Sequence, residues 1–164
     1  MILLALVFAL SQSQQISDEV VVNSLKLAQS IEQKEPRRAF TIREKAVDQA
    51  LGIPVGKRTD ILNQALLVEL VRTTAQRRPL FRGEAEGEYH LSVLEAVAEW
   101  KNPLVIPALV DCLENGGTVF HALADFGNSA FPQVYKVGAE SNRSNAQGAL
   151  LTLNLMLEKS TINA

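Results

Sequence analysis

Leu94-Glu95-Ala96-Val97-Ala98-Glu99-Trp100, then Lys101-Asn102, then Pro103 through Leu113, forms a unit that the chain uses twice. Its second occurrence is His121-Ala122-Leu123-Ala124-Asp125-Phe126, Gly127-Asn128, and Ser129 through Val137. In register, Ala98 matches Ala124, Glu99 matches Asp125, Trp100 matches Phe126 and Asn102 matches Asn128. Past one extra residue in the first copy, Ile106-Pro107 matches Phe131-Pro132 and Leu109 matches Val134. Each copy reads as a helix, a tight turn and a second helix with a proline near its start. Small alanines let the two helices approach closely, and the larger apolar residues fill the space between them. Asn102 is a good N-cap, and Pro103 at the first helical position loses nothing by its missing N–H. Ser129 can cap the matching helix. Pro132 falls in a first turn, whereas Pro107 lies about one residue deeper, forfeits a backbone hydrogen bond and bends the helix start.

Ala96-Val97-Ala98-Glu99-Trp100-x-Asn102-Pro103-x-x-Ile106-Pro107-Ala108-Leu109 and Ala122-Leu123-Ala124-Asp125-Phe126-Gly127-Asn128-Ser129-Ala130-Phe131-Pro132 resemble the HEAT-like helical repeats, including the short bacterial variety. The clearest repeats occupy residues 91–138, roughly a third of the chain, and a third, degenerate copy begins at Asn145-Ala146-Gln147-Gly148-Ala149-Leu150-Leu151. The copies recur every 25 to 26 residues, against a usual period of about 40 for such repeats, which implies pared-down loops. The resemblance implies an all-α fold, an α-solenoid of antiparallel helix pairs (an α–α superhelix) of about eight helices. It implies a single helical-repeat domain over residues 16–164. Repeats of this kind stack into curved surfaces that bind other macromolecules. By resemblance, the chain is expected to be a non-catalytic protein-binding or assembly module, in a small exported bacterial protein.

Length and composition agree with that expectation. The 164 residues make about one domain, with enough chain to bury a core. Ala, Leu and Val dominate and aromatics are sparse, as suits an all-helical protein. The net charge of −2 conceals an asymmetry. Residues 34–82 carry eleven Lys/Arg against five Asp/Glu, whereas residues 83–164 carry four against ten. A segment of +6 beside one of −6 points to an anionic partner or to head-to-tail contact between copies of the chain. The one cysteine, Cys112, excludes an intrachain disulfide and, among Leu109, Val110 and Leu113, reads as a buried small hydrophobe.

Ile2-Leu3-Leu4-Ala5-Leu6-Val7-Phe8-Ala9-Leu10 is an uncharged apolar run that breaks abruptly into Ser11-Gln12-Ser13-Gln14-Gln15. It is too short to span a bilayer and has the length of a signal-peptide core, although no Lys or Arg precedes it. Residues 1–15 are therefore expected to be a signal peptide and the mature protein periplasmic or secreted. A cytoplasmic protein with a buried N-terminal helix is the alternative. Ser17-Asp18-Glu19 caps a helix in which Val21, Leu25, Ala28 and Ile31 recur at helical spacing. Lys34-Glu35-Pro36-Arg37-Arg38 is expected to end it, and Thr41-Ile42-Arg43-Glu44 has the form of a capping box opening the next helix, closed by Gly52. Thr59-Asp60 starts a helix with one broad apolar face, Ile61, Leu62, Ala65, Leu66, Val68, Leu70 and Val71, running to about Thr74. Gln76 through Gly87 shows no helical periodicity and reads as a long loop, with Glu84, Glu86 and Glu88 solvated in it.

No catalytic constellation emerges, no Ser lies in a Gly-x-Ser-x-Gly elbow, and no cofactor is implied. Gly52-x-x-x-Gly56-Lys57-Arg58-Thr59 is similar to a phosphate loop in running from glycines into a helix start. It has one residue too few between the glycines, an extra arginine and no strand leading in, so it reads as a loop feeding a capped helix. His90 and His121 stand on different helices without metal-ligand spacing, and read as exposed or locally bonded side chains.

Arg77, Arg78, Phe81 and Arg82 concentrate guanidinium groups and an aromatic around Pro79-Leu80, and are the expected binding residues. Such forks suit phosphate or carboxylate groups. The other side of the balance is a solvated loop anchored by Leu80 and Phe81. The expected partner is another protein, with an anionic ligand possible. An anion- or nucleic-acid-binding helical protein using the basic segment 34–82 is the alternative from a different class.

Overall fold

The buried carboxylate of Asp18 accepts a hydrogen bond from the Thr59 N–H at 2.7 Å, while Thr59 Oγ1 accepts one from the Leu62 N–H at 3.3 Å. Two helix starts are thus fastened at one polar anchor. This computed structural model describes residues 18–77, 84–140, 143–159 and 162. Among them the chain is all-α, with eight α-helices, antiparallel helix-pair contacts and no strand. It divides between Glu69 and Leu70 into two compact units. The apolar run Ile2–Leu10 lies outside the described residues, and among those described no helix is long and apolar enough to cross a membrane.

The first unit opens with α1, residues 18–31, which buries Val21, Val22, Leu25 and Ala28 along one side. The N–H groups of Lys34 and Glu35 both bond to the Ile31 carbonyl and close it. Helix α2, Pro36–Leu51, then starts at the proline and not at the expected capping box. Pro36 needs no N–H in a first turn, and it opens the helix that it was expected only to separate from α1. Thr41 is consequently mid-helix, where its hydroxyl donates to the Arg37 carbonyl at 3.2 Å. Helix α2 buries Ala39, Arg43, Ala46, Val47 and Ala50, a row of mostly small residues at helical spacing. The buried Arg43 guanidinium reaches Glu32 Oε2 at 3.0 Å and Glu69 Oε1 at 3.3 Å, so the turn after α1 and the third helix are both tied to α2.

Helix α3, Asp60–Arg77, exceeds its expected end by about a turn and contributes residues to both units. In the second unit, α4 spans Glu84–Ala98. Residues 84–87, expected as loop, are therefore its first turn: acidic residues at a helix N-terminus complement the dipole, and alternation of Glu84, Glu86 and Glu88 does not exclude a helix. A 3-10 turn, Pro103–Val105, is opened by Asn102, whose Oδ1 accepts from the Leu104 N–H at 3.0 Å. It passes into α5, Ile106–Val110, with Pro107 in that helix's own first turn. The proline thus begins a short helix after a break, where the sequence predicts a bend inside one longer helix.

The second copy consists of α6, Gly117–Phe126, a 3-10 turn at Gly127–Ser129, and α7, Phe131–Glu140. Gly127 has φ of 51°, a conformation that favours glycine, and it is buried. Ser129 does not cap α7: the carbonyl of Ala130 accepts from the Gln133 and Val134 N–H groups. Two of the matched pairs share their burial. Ala98 and Ala124, and Leu109 and Val134, are all buried, while Trp100 is buried and Phe126 half-buried. Helix lengths differ, since α5 has 5 residues and α7 has 10. Helix α8, Arg143–Glu158, packs on α6, on α7 and on the 3-10 turn Leu113–Asn115. The degenerate third copy, Asn145–Leu151, falls wholly within it.

Gly148 is where α8 comes closest to its neighbours. A Cβ there would lie 2.5 Å from the Leu113 carbonyl oxygen and 3.1 Å from Phe120. Alanine stabilises most helix interiors relative to glycine by about 1 kcal/mol; Gly148→Ala should instead lower the denaturation midpoint. Gly138→Ala, whose Cβ would meet only Ala149 at 3.4 Å, should be far better tolerated. Leu109→Ala, at a fully buried site, should cost about 2–5 kcal/mol in urea unfolding.

Candidate functional site

Helix α3 carries apolar residues on two sides, and only one of them is covered. Leu62, Leu66 and Leu70 are fully buried, with Asn63, Glu69 and Thr73 on the same covered side. Ile61, Val68 and Val71 point outward with exposures of 69%, 64% and 54%. Gln64 and Ala75 are also exposed and complete a row whose steps are three, four, three and four residues. That spacing keeps a row on one helical face. No member of the row is charged. The single broad face predicted from the sequence is therefore two faces, and Ile61, Val68 and Val71 belong to the uncovered one. The interleaving of two separate three-and-four rows was the legible signal. Read as one face, these residues cover an arc too wide for one core-facing stripe.

Towards its C-terminal end, and within the second unit, this row borders a groove of about 260 Å³ lined by Val71, Thr74, Ala75, Ala108 and Asp111. Apolar carbon forms most of its wall, and the exposed Asp111 supplies a carboxylate at the rim. Beneath it the Thr74 hydroxyl donates to the Leu70 carbonyl at 2.8 Å and lies 3.3 Å from Cys112 Sγ, so the thiol is the donor in that contact. Cys112 is buried as the sequence predicts.

A second polar chain stiffens the same unit. The Thr73 hydroxyl donates to the Leu70 carbonyl at 3.0 Å, leaving its oxygen to accept from His90 Nδ1–H at 2.8 Å. His90 Nε2 then accepts from the Asn115 amide at 3.1 Å. These two partners suit an imidazole that carries a proton on Nδ1. His90 is buried and locally bonded, whereas His121 is exposed on α6. Among the described residues no group of three His, Cys, Asp or Glu is placed to hold a metal ion.

The expected binding residues are not brought into view. Arg78, Phe81 and Arg82 lie outside the described residues, as does the side chain of Arg77, the last residue of α3. The loop resembling a phosphate loop is already committed: Arg58 Nε donates to the Ile53 carbonyl at 2.9 Å, and the Asp18 carboxylate occupies the Thr59 N–H where a phosphate would bind. In the second unit, Asp125 joins Lys101 at 2.6 Å and Lys159 at 2.7 Å, linking the turn of the first copy and the end of α8 to the end of α6.

Among the described residues these features define an all-α protein of paired helices in which the outer row of α3 is exposed. No family model, no curated protein and no solved structure matches the chain.

Two measurements follow from the polar contacts. The hydrogen-bonded Lys101 ammonium, and then that of Lys159, holds the Asp125 carboxyl below its ordinary value of 3.8. A depressed folded-state pKa stabilises above the ordinary value, and the contribution disappears as pH falls through the folded one. Asp125→Asn should therefore lose less stability than the parent between neutral pH and about pH 2, by a small margin because the site is exposed. His90→Leu keeps the bulk but removes both hydrogen bonds, and should cost about 1–3 kcal/mol in urea unfolding.

Proposed function

We propose that the protein is a non-catalytic protein-binding or assembly module, built from HEAT-like helix pairs in a solenoid arrangement. The observation that carries this is the outer row of α3, where Ile61, Val68 and Val71 stand exposed with no charge among them. Isolated exposed apolar residues are ordinary on a protein surface, but a continuous row continuing into an apolar groove marks an interaction site. The charge-free centre matches the composition of interface cores. The apolar run Ile2–Leu10 supports export, so the proposed location is the periplasm or the exterior. N-terminal sequencing of the protein recovered from the periplasm should show a start near residue 16; an intact Met1 on a cytoplasmic protein would overturn the localisation.

A second reading, an anion- or nucleic-acid-binding helical protein, draws on the exposed Lys34, Arg37, Lys45 and Lys57 of the basic segment. Its charge is smaller than the sequence implies, because Arg43 and Arg58 are buried and Arg38 pairs with Glu35 at 2.9 Å. Binding of this kind falls steeply with salt, and replacing Arg77, Arg78 and Arg82 by glutamine should weaken it without unfolding the protein.

The two readings separate on one substitution. Val68→Glu places a charge in the centre of the outer row at a position already open to water, so the fold should be unaffected. Quantitative capture of partners by the full chain, read by mass spectrometry, should lose its specific proteins in this variant by at least tenfold. Undiminished capture by Val68→Glu, with loss on the triple glutamine variant, would transfer the function to the basic segment.

A further inference from the structure

We infer that α8 pairs with the α8 of a second copy of this chain, running antiparallel, so that the protein is a two-fold symmetric dimer. The inference goes beyond the binding-module reading and leaves the outer row of α3 free. Residues 144–157 of α8 carry no charge, although one side of the helix is turned to solvent. There Leu150 and Leu157, exposed at 61% and 56%, alternate with the half-buried Ala146 and Leu153. The steps from Ala146 to Leu150, Leu153 and Leu157 are four, three and four residues. By that spacing one helix seats on another, knobs into holes. The row lies wholly within the second unit, whose core takes Ala149, Thr152 and Met156 from the other side of α8.

Shape and charge together select the occupant. Reversed about the midpoint between Leu151 and Thr152, the row falls on itself. Ala146 then meets the second copy's Leu157, and Leu150 meets its Leu153. Each layer joins apolar to apolar, and the exposed, uncharged Gln147 and Asn154 border the seam. Glu158, the exposed last residue of α8, stands at the negative end of its own helix dipole, where a carboxylate is disfavoured. Antiparallel pairing brings it level with the second copy's Asn145, in the first turn of that helix, where the dipole favours an anion. The two-fold axis repeats this complement at the other end. Parallel pairing would set Glu158 beside Glu158. Four side chains from each copy make a small contact, so exchange between monomer and dimer is reversible.

The test is sedimentation equilibrium of the full chain at several concentrations. The expected mass rises with concentration from 17.9 kDa to twice that value. Leu150→Glu and Leu157→Glu, both at positions open to water, should each weaken the dimer by at least tenfold with unchanged helical circular dichroism. Val68→Glu, on α3, should leave the doubled mass intact. With a short thiol-to-thiol crosslinker and peptides read by mass spectrometry, Ala146→Cys should join Leu157→Cys in preference to either joining itself. A chain that stays monomeric, a dimer unaffected by both glutamates, a dimer lost on Val68→Glu, or self-joining of Leu157→Cys that exceeds its pairing with Ala146→Cys would each overturn the inference. A monomeric chain that loses captured proteins on Leu150→Glu would likewise overturn it, and would assign the face of α8 to a different partner. A monomer whose captured partners are lost only on Val68→Glu would overturn the dimer and leave the binding-module reading standing.

Discussion

Helix α3 has to satisfy a core with one of its rows while carrying a second apolar row that is exposed among the described residues. The constraint is geometric: at 3.6 residues per turn, Leu62, Leu66 and Leu70 share one side, and Ile61, Val68 and Val71 cannot join them. The covered row has a core to complete in each unit. Its first part meets the buried Arg43, through Glu69; its second part supplies Thr73 to His90 and Thr74 to Cys112. An amphipathic helix needs only one apolar side for this. Among the described residues the second side packs into neither core, and its composition calls for a different physical reason.

The buried polar groups explain how helices of such similar composition are held in one register. Packing among Ala, Val and Leu tolerates slippage of one helix past another, because many registers bury comparable apolar area. Hydrogen-bonded and ionic contacts do not. Arg43 reaches two carboxylates on two different elements, and a shift of one turn would strand the Glu69 carboxylate in the interior away from that guanidinium. His90 imposes a neutral counterpart in the second unit. One tautomer satisfies Thr73 and Asn115 together, so the positions of α4 and of the 3-10 turn at Leu113–Asn115 relative to α3 are specified by atoms rather than by area. Gly148 acts by shape, admitting the Leu113 carbonyl where any side chain would exclude it.

Much of this was legible in the sequence, and the failures have identifiable causes. The paired pattern of residues 91–138 was readable because proline, asparagine and glycine punctuate helices by local stereochemistry: Asn102 caps, and Gly127 turns with positive φ. Burial of Cys112 and of the matched alanines followed from periodicity. Punctuation misled where one residue has two meanings. Pro36 was expected as a terminator, yet it also suits a first turn, and this displaced the capping box of Thr41 into the helix interior. The alternation of Glu84, Glu86 and Glu88 suggests a loop, although glutamate is a good helix former and favourable at a helix start. The division of the α3 residues into two rows required choosing between phases that differ by only one residue, and hydrophobicity alone does not choose. The binding residues expected around Pro79-Leu80 fall largely outside the described residues.

Charge shows the same gap between sequence and surface. The basic excess of residues 34–82 is partly internal, since Arg43 answers Glu32 and Glu69 while Arg58 folds onto a backbone carbonyl. The acidic excess of residues 83–164 is partly answered in place, with Asp125 between Lys101 and Lys159. A count along the chain assigns all of these to the solvent, and so overstates the field that a distant partner would feel. What the surface retains in one continuous stretch is the opposite of charge: a row along α3 with nothing to repel or attract at long range. In the proposed binding role, recognition there is decided at contact, by shape and by the release of water. On that proposal such a face would discriminate among partners through the spacing of its side chains, and the step pattern of the row would then matter more than the net charge of the segment that contains it.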